Sequence, residues 1–109
     1  MAQDYIALNS KEENGMIAIN KSVFQSITEI SIDEIETASR ITSSAFSKPV
    51  QIKIDKNNRL NIIVDINVKY GANVNATCEL VQNKIYENVA FMTGYKPNDV
   101  TVNVLGFDI

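Results

Sequence analysis

Three places in this 109-residue chain hold side chains that could do chemistry. Cys78, the single cysteine, lies near the start of a segment with helical periodicity. A helix N-terminus there could lower the thiol's pKa and favour the nucleophilic thiolate. Asp65 sits midway along an alternating apolar run and, with a second carboxylate, could serve acid–base catalysis. Asp33, Glu34 and Glu36 form a small acidic cluster that could attract a cation. Each has a plainer reading. Cys78 falls between Val74 and Val81 on an apolar stripe, where a free cysteine packs as a small hydrophobe. Asp65 belongs to the polar side of its strand and is expected to be solvated. The acidic trio lacks the regular oxygen ligands around a glycine that a calcium loop needs, and reads as helix-start charge or an exposed face. Gln82 projects from the polar side of the same helix as Cys78 and is expected at the surface, free to bond a loop or a partner.

Other chemistry is excluded by residue type. The chain has no histidine, which removes imidazole-based triads, Cys–His pairs and histidine metal sites. One cysteine cannot build a thiolate zinc site or an internal disulfide within a single chain. The glycines stand at 15, 71, 94 and 106, too far apart for a Walker A loop, a dinucleotide-binding turn or the GXXG clamp of an RNA-binding KH domain. No catalytic residue, metal, cofactor or small-molecule substrate is therefore expected. The formal net charge is −3 and the pI about 4.8. No two of the ten Lys and Arg residues are adjacent, which weighs against nucleic acid or an anionic membrane surface as a partner. No apolar run approaches the roughly 20 residues that span a bilayer, so direct membrane insertion is not expected. The N-terminus lacks the basic and apolar regions of a secretory signal, and a cytoplasmic location is the expectation.

These residues are positioned by a short series of elements. Residues 1–14 read as a leader, loose or forming an edge strand around 5–8, ahead of one domain over 15–109. Gly15 opens a strand in which Ile17 and Ile19 alternate. Asn20 is a suitable N-cap for a helix of about ten residues carrying Val23, Ile27 and Ile30. Residues 31–41 are ambiguous. Ser31 and Glu34 have capping-box spacing, whereas Ile32, Thr37 and Ile41 suit a strand. Val50, Ile52 and Ile54 then alternate up to a polar turn, Lys56 to Arg59. Leu60, Ile62, Val64, Ile66 and Val68 alternate after it, which predicts a β-hairpin. Gly71 sits where the chain leaves the sheet. Asn73 caps a long helix whose stripe is Val74, Cys78, Val81, Ile85, Val89 and Met92, with Gly94 as its stop. A last strand sets Val100, Val102 and Val104 against Thr101, Asn103 and Leu105. The order predicts an α+β, two-layer fold: a mostly antiparallel sheet with two helices packed on one face.

Ile63, Leu105 and Phe107 fall out of phase with this core set. On a sheet covered on one side they would face outward and form a candidate association surface. The other reading is that 31–41 or 5–8 covers them.

Read together, VKYGANV, LVQNKIYENVAFMTGY and VTVNVLGF resemble the alkaline shock protein family, in particular its small YloU-like members of Gram-positive bacteria. The matching positions are Tyr70 and Gly71, Val81 and Gln82, Thr93 and Gly94, and Val102, Asn103 and Val104. Gly15, Ile17 and Ile19 match its opening strand. The resemblance covers roughly residues 15–107. The chain departs from the pattern after the first helix, where Glu34-Ile35 replaces the usual Gly-Val step. The resemblance favours a strand near 35–38 over the capping-box reading. It also implies a non-enzymatic cytoplasmic protein linked to envelope or alkaline stress. Such a protein self-associates and can be held near the membrane by a separate membrane-anchored partner.

The leading expectation is thus a structural or adaptor protein that acts by self-association and by docking to another protein, through the uncovered sheet face or an edge strand. The alternative is a small α+β RNA-binding module, which the acidic pI, the scattered cations and the missing GXXG oppose. An enzyme using Asp65 or Cys78 is the third reading.

Overall fold

The computed structural model describes residues 19–42 and 48–108. The expected segments over 1–14, and the Gly15 and Ile17 part of the first strand, lie outside them. Within them the order is α1 (Lys21–Asp33), β1 (Ala38–Arg40), β2 (Val50–Ile54), β3 (Leu60–Lys69), α2 (Val74–Thr93) and β4 (Asp99–Asp108).

Strand β3 is the spine. Its even-numbered residues, Leu60, Ile62, Val64, Ile66 and Val68, are all at most 1% exposed. Burial of each contributes roughly 1.5–3 kcal/mol before chain entropy is set against it. The intervening Ile63, Asp65 and Asn67 are half-buried, as alternation across a sheet requires. β4 runs along one edge of β3 in parallel, from Asn61↔Asp99 to Lys69↔Asp108. β1 and β2 share the other edge end to end, both antiparallel, with β2 on residues 60–64 and β1 on 66–68. Asp65 lies at the gap between them, where its N–H donates to the Pro49 carbonyl at 2.8 Å. The fold is α+β, with two antiparallel pairings and one parallel. The parallel pair follows from its connection, since a 20-residue helix gives the crossover length that parallel neighbours need.

Both helices begin at asparagine. Asn20 accepts from the Ser22 N–H, and Asn73 from the Ala76 N–H, both at 2.9 Å. α2 ends at Gly94, whose φ of +81° is left-handed and suits a residue without Cβ. α1 is longer than its apolar spacing predicts, and it turns a different face inward. Phe24, Ile27, Thr28, Ser31 and Ile32 are buried, while Ile30 is 50% exposed. Ser31 is inside this helix and does not cap a second one. Its hydroxyl donates to the Ile27 carbonyl, and the strand after it is β1. Thr28 and Thr93 use the same bond, to Phe24 and Val89. Short hydroxyl side chains bonded to the preceding turn thereby enter an apolar stripe without unpaired groups.

The helices run antiparallel. The Phe24 and Tyr95 rings meet edge to face at 6.2 Å. Asn88 donates to Ser31 and Glu34, and Thr77 to Thr37. Phe24, Ile27 and Ile32 of α1 belong to the same buried cluster as Val81, Ile85 and Val89 of α2 and the even-numbered side of β3. Ile19, just ahead of α1, joins it.

The β2–β3 hairpin closes around Asp55. Its carboxylate accepts the N–H groups of Asn57 and Arg59 at 2.8 and 3.0 Å and the Arg59 guanidinium at 3.2 Å. Asn58 takes the positive φ of the turn, +60°. The Arg59 backbone bond, helped by the Asn57 N–H and the Arg59 charge against an opposing desolvation, holds the Asp55 carboxyl below the usual carboxylate range. A depressed native pKa stabilises above the unfolded value, and that contribution is lost as pH falls through the native one. Carboxyl-detected NMR titration is expected to place the Asp55 midpoint below that of a model peptide. Asp55→Asn should remove the corresponding acid-side loss of stability. A midpoint at the peptide value would refute this account of the turn.

Candidate functional site

The residues set apart by phase do not form one patch on the sheet. Val104 pairs with Ile66 and Gly106 with Asn67, so Leu105 is an extra residue in a β-bulge. A bulge shifts the alternation of its strand. Beyond it Phe107 pairs with Val68, on the even-numbered register of β3. Ile63 pairs with Gln51 and Thr101, five residues from the level of Phe107, which is about 16 Å along a strand. Ile63 is half-buried on a polar face, where Asn103 donates to Asp65 at 3.1 Å and Ser39 donates to Asp108.

Leu105 and Phe107 instead stand at the far end of the sheet, 62% and 54% exposed. They are joined there by Tyr70, which leaves β3 with 73% of its surface exposed. The Tyr70 N–H donates to the Asp108 carbonyl at 2.7 Å, which ties the ends of β3 and β4 together. These three large apolar side chains are exposed at one end of the strand pair. Sequence reasoning noted Tyr70 only as part of a motif. Its position after the last alternating residue and before a turn glycine was the available signal.

The motif positions have structural roles. Gly71 turns the chain out of β3 with φ of +90°. Gly94 stops α2. Gln82 Nε2 donates to the Val100 carbonyl at 2.8 Å and so ties α2 to the start of β4. Asn103 holds Asp65 across the parallel pair.

The side chains considered for chemistry are dispersed. Cys78 is half-buried on α2. Asp33 pairs with Arg40 at 2.9 Å, and Glu34 accepts from Asn88. A cleft of about 320 Å³ opens where β1 stops and β2 starts and is lined by Glu29, Ile32, Arg40, Pro49 and Asp65, among others. Its ionised groups already have partners, since Arg40 also reaches Glu29 at 3.7 Å and Asp65 is held by Asn103. A second cleft, of about 210 Å³, lies between Gln82, Asn83 and Tyr86 of α2 and Asn98 and Asp99. Among the described residues, no three of His, Cys, Asp and Glu gather where they could hold a metal ion. No helix among them is long and apolar enough to cross a membrane.

A family model matches residues 9–109, nearly the whole chain: the alkaline shock protein 23 family, described as having a cell envelope-related function. No curated protein and no solved structure matches.

Proposed function

The chain belongs to the alkaline shock protein 23 family, whose function is cell envelope-related, and from that premise we propose a non-enzymatic structural or adaptor role. The protein self-associates and docks to another protein, one that can be membrane-anchored, while itself remaining cytoplasmic. The observation that carries this reading is the exposed group Tyr70, Leu105 and Phe107 at the end of the strand pair. Large apolar side chains gathered outside the core are the ordinary mark of a protein–protein contact. Aromatic side chains are enriched at the centres of such contacts. The absence of an enzymatic role is supported by the fate of the candidate groups, since Asp33, Glu34 and Asp65 are each taken up by structural bonds.

Sedimentation velocity from low to high micromolar protein tests this. The mass is expected to rise with concentration. Leu105→Glu should lower it and leave the helical circular dichroism unchanged. A monomer mass at every concentration would remove self-association from the reading.

A further inference from the structure

The cleft of about 210 Å³ between α2 and the start of β4 is built from parts that are already held in place. Gln82, Asn83 and Tyr86 form one wall, along a single flank of α2. Pro97, Asn98 and Asp99, at the entry to β4, form the other. Pro97 is buried and fixes its own φ. The Asn98 N–H donates to the Leu60 carbonyl at 2.7 Å, and its Nδ2 donates to Asn61 Oδ1 at 3.0 Å. Thr101 Oγ1 donates to one Asp99 carboxylate oxygen at 3.1 Å. Gln82 Nε2 joins the two walls through the Val100 carbonyl. These bonds fix the walls but leave polar atoms over. Gln82 Oε1, Asn98 Oδ1 and the second Asp99 oxygen remain as acceptors. The Asn83 amide and the Tyr86 hydroxyl have no hydrogen-bond partner among the described residues, and each can both donate and accept.

We propose that this cleft binds a sugar, as one neutral, hydroxyl-rich pyranose ring. The leftover groups select that chemistry by elimination. No lysine or arginine lines the cleft, so nothing there balances a phosphate, and Asp99 repels one. A hydrocarbon would cover the polar groups without pairing them. An ammonium suits Asp99 but has no lone pair to accept from the Asn83 N–H groups. A hydroxyl does both, donating to Gln82, Asn98 and Asp99 and accepting from Asn83. The Tyr86 ring adds a flat apolar wall whose face carries negative partial charge, against which the C–H groups of a pyranose pack. The volume is below the roughly 300–1,000 Å³ of pockets that take drug-sized ligands, which suits a single ring. The cleft lies at the start of β4, away from Leu105 and Phe107 near its end, so this inference stands apart from self-association.

NMR titration of the isotope-labelled protein with glucose, galactose and N-acetylglucosamine in turn tests the assignment, with inorganic phosphate and choline as the competing chemistries. At least one sugar is expected to shift the side-chain amide signals of Gln82, Asn83 and Asn98, with a Kd on the order of 1–10 mM for so small a ligand. Tyr86→Ala should weaken that binding roughly tenfold through loss of the ring. Tyr86→Phe keeps the ring and should weaken it less, about threefold. Asn83→Ala, on the same flank, gives a second reading and should also cost about threefold. Tyr86 and Asn83 are both exposed, and circular dichroism and unfolding midpoints check that each variant folds. Silence at these amides from all three sugars up to about 100 mM would overturn the proposal. So would sugar shifts that Tyr86→Ala and Asn83→Ala leave unchanged, or phosphate or choline binding there in place of the sugars.

Discussion

Phe24→Ala is expected to remove about 3–5 kcal/mol of stability, the usual cost of truncating a large buried aromatic side chain. Phe24 is fully buried. Its ring lies edge-on to Tyr95 just beyond α2, so it joins the start of one helix to the end of the other. A domain of this size has about 5–15 kcal/mol in total, and the loss is a large share of it. The urea midpoint should fall steeply, with the dependence on denaturant nearly unchanged. A loss below about 1 kcal/mol would mean that the site repacks or that Phe24 is not where the helices close.

The second large effect comes from changing faces by one residue. Val64→Asp places a carboxylate at a fully buried position in the middle of β3, which costs several kcal/mol unless the group is paired. Cooperative unfolding is expected to disappear at neutral pH. Because burial raises a carboxyl pKa, part of the stability should return as pH is lowered and the group takes up its proton. Ile63→Asp, on the neighbouring residue, enters a half-buried position between Gln51 and Thr101 and should cost no more than about 1 kcal/mol. Similar losses for the two would overturn the assignment of the two faces of β3.

Strict alternation made the β2–β3 hairpin legible in the sequence, because a period of two fixes which residues turn inward and the polar turn fixes the register. The bounds of α2 were legible from Asn73 and Gly94 for a similar reason, since each side chain, or its absence, satisfies a local backbone need. The inward face of α1 was not. Spacing of aliphatic residues favours Val23, Ile27 and Ile30, but the buried face also includes Thr28 and Ser31, whose hydroxyls bond within the helix. A rule that counts only apolar residues cannot see them. The same blindness hid Thr77 and Thr93 on α2, while Cys78 and Met92 were placed further inside than they lie. The candidate surface was legible by residue but not by place. Leu105 and Phe107 are exposed, but the parallel register sets them at the far end of the sheet from Ile63, and the bulge moves Phe107 off the face that Ile63 shares. Whether alternation continues through 104–107 depends on pairing with β3, which is tertiary information.

The shared edge of β3 also orders events in time. Its pairing with β2 joins residues only a short turn apart, and turns of that kind close in microseconds. The β4 side must wait for Asn61 to find Asp99, 38 residues along the chain, and distant pairings of this kind slow folding. The hairpin therefore serves as an early template, and the parallel strand that carries Leu105 and Phe107 arrives last. Leu105 and Phe107 therefore reach their exposed places beside Tyr70 only when the rest of the sheet has formed.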